Sequence, residues 1–145
     1  MRLMVMYDTH YGNTERIAQA IAKGIEESGH RVECRCQSDS GEEDLIGVRL
    51  WVLGSPTRWG RPTFRFKTLI LNAVKEAGVA HDFVVFDTRY TAVHKGAADR
   101  LHRLLTKKGL HPLMPPQRFC IEGRRLAPGQ EEMARELGRT IASLL

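Results

Sequence analysis

Hydrophobic residues along the chain alternate between two patterns, short apolar runs and longer stretches in which apolar positions recur every three to four residues. Leu3-Met4-Val5-Met6-Tyr7 is the first run and closes at Asp8 and a turn-rich segment. Ile17, Ala20, Ile21, Gly24 and Ile25 then keep helical spacing as far as Gly29, with Asn13 or Thr14 placed to cap that helix. Val32 to Cys36 predicts a second strand whose polar composition suits a sheet edge, and residues 37 to 47 predict a connector. Leu50-Trp51-Val52-Leu53 is apolar at every position, the pattern of a strand buried on both faces, and it stops at Gly54-Ser55-Pro56.

The alternation continues to the end of the chain. A helix from Pro62 to Glu76 carries Phe66, Leu69, Ile70 and Val74 on one side, and Phe83-Val84-Val85-Phe86 forms a fourth strand that ends at Asp87-Thr88. Gly96 to Lys108 predicts a helix with the stripe Ala97, Leu101, Leu104 and Leu105, stopped by Gly109. The fifth strand, Leu113 to Ile121, is interrupted by Pro115-Pro116 and is therefore expected to be short, bulged or at an edge. Gln130 to Leu145 closes the chain as a helix with Met133, Leu137, Ile141 and Leu144 facing inward. Strands and helices in strict alternation require crossover connections. The expected fold is therefore α/β: a single domain over residues 1–145, built as a three-layer doubly wound five-stranded parallel sheet.

Composition narrows the class. The chain has 145 residues, 42% of them hydrophobic and 27% charged, which is one domain's worth with enough apolar surface for a core and excludes disorder as the dominant state. No apolar run is long enough to span a membrane, and Met1 is not followed by a signal-type segment, so a cytoplasmic protein with no membrane partner is expected. The three cysteines cannot all pair within the chain. Cys34 and Cys36 lack the spacing of a redox or zinc motif, so buried or half-buried free thiols are expected, and no metal site.

In an open parallel sheet ligands bind beyond the carboxyl ends of the strands, which singles out the loops after the first, third and fourth strands. The first, Thr9-His10-Tyr11-Gly12-Asn13-Thr14, runs into a helix whose first amides lack intrahelical partners, and Thr9, Asn13 and Thr14 add side-chain donors; this is the chemistry of a phosphate site. The second, Ser55-Pro56-Thr57-Arg58-Trp59-Gly60, holds a tryptophan between turn residues. The third, Asp87-Thr88-Arg89-Tyr90, places a tyrosine at the matching height. Two aromatics on neighbouring loops are suited to clamping a flat ring system, at roughly 1 kcal/mol each beyond area burial.

Those segments resemble the flavodoxins, small FMN-binding electron carriers. The resemblance covers nearly the whole chain and is most specific at Gly12-Asn13-Thr14-Glu15 and Gly54-Ser55-Pro56-Thr57. It implies that residues Thr9 to Thr14 bind the FMN phosphate and that Ser55, Pro56 and Thr57 to Gly60 line one side of the isoalloxazine. Asp87 to Tyr90 would then line the other side, with Trp59 and Tyr90 as the stacking pair. The chain is similar to the short-chain type, and similar G-S-P-T and F-D-T-R-Y segments occur in the flavodoxin modules of flavodiiron oxidoreductases. Tyr11 stands where the usual phosphate loop has Thr or Ser. With Pro56 to Gly60, it is similar to the branch of quinone reductases related to the tryptophan-repressor-binding protein, so an FMN-dependent NAD(P)H:quinone oxidoreductase is the alternative reading.

Charge sets the chain apart from the acidic carriers it resembles. Its formal charge is +5, with Arg58, Arg61, Arg65, Lys67, Arg89 and Lys95 on or just after the loops. A positive rim favours redox partner proteins with acidic docking surfaces. A guanidinium of Arg58 or Arg89 aimed at the ring would favour the reduced, anionic flavin and raise its potential. Nucleic acid is not an expected partner, because no recognition motif accompanies the charge. A phosphoacceptor receiver would need an acid where Ser55-Pro56 stands, and a flavin-free interaction module would be colourless. Monomer or weak dimer is the expected state, with no catalytic residue assigned.

Overall fold

In the computed structural model, which describes all of residues 1–145, the chain runs β1 (Leu3–Tyr7), α1 (Asn13–Glu27), β2 (Glu33–Cys36), β3 (Leu50–Pro56), α2 (Phe64–Ala77), β4 (Asp82–Tyr90), α3 (Ala97–Lys108), β5 (His111–Pro112), β6 (Gln117–Glu122), β7 (Arg125–Leu126) and α4 (Gln130–Ser143). The sheet order is β2-β1-β3-β4-β6-β7, with β5 also paired to β4. Every pairing is parallel except β6 with β7. The polar strand β2 lies at the edge, as its composition predicts. No helix is long and apolar enough to cross a membrane.

The period of two along each strand divides the core into two layers. Met4, Met6, Trp51, Leu53, Phe83 and Val85 face α2 and α3, where Phe66, Ile70, Leu101 and Leu105 meet them. Leu3, Val5, Leu50, Val52, Val84 and Phe86 face the other way, against Ile17, Ile21 and Ile25 of α1 and Leu137 and Ile141 of α4. Both faces of the sheet are therefore covered, giving the three-layer doubly wound architecture. Each fully buried side chain of this size contributes roughly 1.5–3 kcal/mol.

Three expectations need correction. The fifth strand is split: β5 pairs with Asp82 and Phe83, β6 pairs with Phe86 to Tyr90, and residues 113–116 leave the ladder between them. Pro115 and Pro116 have no N–H to give, so the chain bows out there and resumes pairing at Gln117. With the short antiparallel β7, five predicted strands become seven. Second, Cys34 is exposed on the edge strand, whereas Cys36 and Cys120 are half-buried; all three are free.

Third, the inward face of α4 is Ala134, Leu137, Gly138, Ile141 and Ala142, while Met133 and Leu144 are exposed. The cause is the approach of α1. A Cβ added at Gly138 would overlap the Ile21 carbonyl oxygen, and one added at Gly24 would overlap that of Arg135. Backbones this close admit only small residues at the seam, which rotates the bulky Met133 outward.

The consequence is a reversal of sign. At an exposed helical site, Gly→Ala gains about 1 kcal/mol from helix propensity. Gly138→Ala should instead lose about 1–3 kcal/mol through overpacking of the α1–α4 seam, read as a lower urea midpoint; a raised midpoint would refute the close approach.

Candidate functional site

The carboxyl ends of β1, β3 and β4 place the three loops side by side on one edge of the sheet. In the first loop the Thr9 amide donates to Asp8 Oδ1 at 2.9 Å and the Gly12 amide to Thr9 Oγ1 at 3.0 Å, which curls the chain into a tight crest. Gly12, at φ 87°, is the N-cap of α1. Neither Asn13 nor Thr14 caps the helix as expected. Both already lie in its first turn, buried, with their side chains spent on neighbouring segments. Asn13 Nδ2 donates to the Arg124 carbonyl at 3.0 Å, and Thr14 Oγ1 shares a proton with Thr88 Oγ1 at 2.9 Å.

No side chain caps α1, and the amides of Asn13, Thr14 and Glu15 have no acceptor within the protein. Unpaired first-turn amides at the positive end of a 15-residue helix form an anion site. The Thr9 hydroxyl, accepting from Gly12, keeps its own proton to donate. His10 and Tyr11 sit exposed on the crest.

An acid beside such a site would repel an anion, yet Asp8 directly precedes the loop and is buried. Its charge is balanced. Arg65 Nε and Nη2 donate to Asp8 Oδ2 and Oδ1 at 2.8 and 2.7 Å, and the Thr63 hydroxyl adds a third bond. Burial pushes the Asp8 carboxyl up, but these hydrogen bonds and the Arg65 charge outweigh it and hold the group below the usual carboxylate range.

The second loop is organised around a hairpin. Ser55 Oγ accepts from the Thr63 amide at 3.2 Å and donates to the Pro56 carbonyl, and the Thr57 amide donates to the Thr88 carbonyl at 2.9 Å. Arg58 and Arg61 exchange backbone hydrogen bonds at 2.8 and 2.9 Å across a two-residue turn, Trp59-Gly60. Both turn residues have positive φ, 53° and 73°, as a type I′ turn requires. Trp59 is thereby raised to the tip, 97% exposed, in a left-handed conformation that a non-glycine residue adopts at about 1–2 kcal/mol. Arg58 is exposed beside it.

The third segment, expected as a loop, is instead the end of β4, paired to β6 as far as Tyr90, and alternation along it sends Asp87 and Arg89 to one face and Thr88 to the other. Tyr90 ends the strand, 56% exposed. Arg89 does not aim at the site as its position suggested. It is buried, with Nε and Nη2 on Asp87 Oδ1 and Oδ2 at 2.9 and 2.7 Å, Nη2 also on Asp99 Oδ2 at 2.7 Å, and Nη1 on the His94 carbonyl at 3.0 Å. Asp87 further accepts from the Ala98 amide at 2.8 Å. A single guanidinium between two carboxylates is neutralised, so Arg89 shapes the loop and lends no free charge to its surface.

Sequence reasoning missed Asp8, Thr63, Gly96 and Asp99, and placed Arg65 only as a surface charge. A Cβ at Gly96 would lie within about 2.7 Å of Asp87 Oδ2, Thr57 Oγ1 and Arg89 Nε, so that corner closes only around glycine. One signal was present. Asp87 and Arg89 are two apart on a strand, hence on one face and close enough to pair. An acid directly after an apolar strand, Asp8, was another, but its partners lie 55 and 57 residues away.

Comparison with known proteins agrees with this geometry. The family model described as Flavodoxin matches residues 5–137. A flavodoxin of Aquifex aeolicus is 30% identical over 67 residues, a match that spans 46% of this chain and 36% of that protein's length. Among solved structures, a flavodoxin from the domain Archaea superposes with TM-score 0.85 at 19% identity, covering 99% of this chain and 97% of the other. Oxidised Flavodoxin 1 from Bacillus cereus gives 0.84 at 20% identity, covering 100% and 99%.

Asp8 makes the site's stability depend on acidity. Its folded pKa lies below the unfolded value near 3.9, so its contribution is complete above that value and is lost as pH falls through the depressed one. Asp8→Asn should cost about 1–3 kcal/mol at neutral pH, a range kept low because Arg65 is half-exposed, and the gap to the parent should narrow as pH falls below the unfolded carboxyl's value. Urea unfolding across that range checks it; a gap that stays constant into acid would contradict the ion pair.

Proposed function

The chain belongs to the flavodoxin family, whose members bind FMN, and from that premise we propose that it carries electrons between redox partner proteins on non-covalently bound FMN. The observation that carries this reading is the uncapped first turn of α1 lying on the same sheet edge as two solvent-facing aromatics, Trp59 and Tyr90. The donor set fits the group: backbone amides and the Thr9 hydroxyl for a phosphate, an indole and a phenol for a flat tricycle.

In this reading the free amides of Asn13, Thr14 and Glu15, with those of His10 and Tyr11 on the crest, hold the phosphate, and the Asp8–Arg65 pair keeps the neighbouring acid from repelling it. Pro56 to Gly60 line one side of the ring and Tyr90 the other, while the fully buried Ser55 holds the turn in place through Thr63. Asp87, Thr88 and Arg89 act as positioning residues, fixing where the second and third loops stand. Bound FMN would supply reversible uptake of one or two electrons, and the protein sets their energies through stacking, exposure and charge. With Arg89 neutralised, Arg58 and Arg61 are the cations left flanking the Trp59 turn, Arg58 directly preceding the indole. The redox partners carry acidic docking surfaces, complementary to the net charge of +5.

Adding FMN to the purified protein should produce a tightly held yellow complex, and Trp59→Ala should weaken FMN binding by about tenfold or more in a flavin-fluorescence titration. A protein that takes up no FMN, or a variant of unchanged affinity, would overturn the reading. A carrier shows no steady-state NAD(P)H oxidation above that of free flavin; rapid turnover with a quinone would favour the oxidoreductase instead.

Arg58→Ala should make the potential for full reduction more negative, by tens of millivolts. A cation about 7 Å from the ring at an effective dielectric near 20 sets a ceiling on the order of 100 mV, which water and salt then screen. Spectroelectrochemical titration reads the shift; an unchanged or raised potential would remove Arg58 from the account.

A further inference from the structure

Charge is segregated along this chain. Residues 45–121 hold thirteen Lys or Arg against four Asp or Glu, a net +9, while the remainder of the sequence is net −4. The structure gathers much of that excess in one groove of about 730 Å³ between the start of α2 and the length of α3. Arg61, Lys67, Lys95, Arg100, Arg103 and Lys107 line it; Arg100, Arg103 and Lys107 fall on one face of α3 over about 10 Å. The acid in the lining, Asp99, is already held by Arg89 and the Gly96 amide.

These cations contrast with three arginines that are paired on another face of the molecule. Across the α1–α4 face Arg16, Arg135 and Arg139 each pair with a glutamate. In the groove no carboxylate lies within ion-pair distance of Arg61, Lys67, Lys95, Arg103 or Lys107; Arg100 donates to the Gly60 carbonyl at 2.9 Å. Six cations gathered around a single carboxylate that Arg89 already holds repel one another, so the arrangement stabilises the fold in no evident way and suits an anionic counterpart. Phe64, 83% exposed on the rim, and Trp59 beyond it add apolar anchors of the kind found at the centres of protein interfaces.

A small phosphate ligand suits the groove poorly. The amides at the start of α3 are all taken: Gly96 by Asp99, Ala97 by Thr57 and Ala98 by Asp87, at 2.8, 2.9 and 2.8 Å. What remains are long, mobile side chains spread over an open surface, which match a broad acidic face better than one compact anion.

We propose that the α2–α3 groove is the docking site for an acidic surface of the protein that exchanges electrons with this chain. The proposal rests on the electron-carrier reading and gives it a location. Arg100 links the groove to the Trp59-Gly60 turn, so a partner seated there lies beside the ring-binding edge. Arg65 and Arg89, whose charges are balanced internally, take no part, whereas Arg100, Arg103 and Lys107 on α3 do.

The test uses a poly-L-glutamate peptide as the acidic probe. Binding is measured at low and high salt for the parent, for Arg103→Glu with Lys107→Glu, and for Lys23→Glu with Arg31→Glu, an equal charge change outside the groove. The groove pair should weaken peptide binding by about tenfold or more, and the control pair by no more than about twofold. Equal losses in the two pairs, or a single-stranded DNA oligomer of matched charge binding about tenfold tighter than the peptide, would overturn the proposal. With FMN loaded, the groove pair should also slow oxidation by the anionic hexacyanoferrate(III) and speed it by the cationic hexaammineruthenium(III); no change in either would count against it. FMN affinity is titrated in parallel. Its loss in the parent refutes the carrier reading, whereas its retention with unaltered peptide binding in the groove pair refutes the docking site alone.

Discussion

Three loops hold one ligand only if the distances between them are fixed, and here those distances run through Thr88. Its side-chain oxygen meets that of Thr14 in the first turn of α1 at 2.9 Å, and its carbonyl accepts the Thr57 amide at the same distance. Thr88 itself belongs to β4, buried in the middle of the sheet. One residue thus joins the anion-binding helix end, the tryptophan turn and the strand that presents Tyr90. The parallel sheet makes this possible by ending β1, β3 and β4 at the same edge. A buried hydroxyl pair with no water to replace it is also costly to break, so the joint is stiff.

Around that joint the protein separates two uses of charge. Near the carboxyl edge of the sheet, charged groups are committed to one another: buried Asp8 to the half-exposed Arg65, and buried Arg89 to Asp87 and Asp99. Removing one member of such a set strands the others, a loss of about 3–5 kcal/mol for fully buried pairs. With Arg65 and Arg89 committed to carboxylates, the helix end and the exposed Arg58 and Arg61 are left to act on a bound anion. Away from the edge, in the α2–α3 groove, cations stand without partners, and their field extends into solvent where it can steer an encounter.

Much of this was legible from the chain alone because periodicity reports burial. The apolar runs Leu3–Tyr7, Leu50–Leu53 and Phe83–Phe86 are read correctly as interior parallel strands, though the last two continue to Pro56 and Tyr90, and Trp59, between Arg58 and Gly60, reads as exposed. What periodicity misses is whatever depends on residues distant in sequence. Met133 has the right helical phase for the core of α4, yet the approach of Gly24 to Gly138 decides the face. Asn13 and Thr14 have the chemistry of helix caps, yet Gly12 takes that place and frees them to bind Arg124 and Thr88. Arg89 looks like a surface cation in a list of loop residues; only its register with Asp87 and the arrival of Asp99 from α3 show where its charge goes. The same limit hid the groove, whose lining comes from two separate helices, α2 and α3, with the whole of β4 between them in the sequence.

The central claim is that the first turn of α1, the Trp59 turn and the end of β4 act as one FMN site. Titrating the isotope-labelled protein with FMN and following backbone amides by NMR tests it most directly. The account predicts that the largest shifts fall at His10 to Glu15, at Arg58 to Gly60 and at Tyr90, with the α2–α3 groove little changed. Shifts centred on the groove, or amides at the start of α1 that stay still at saturating FMN, would contradict it.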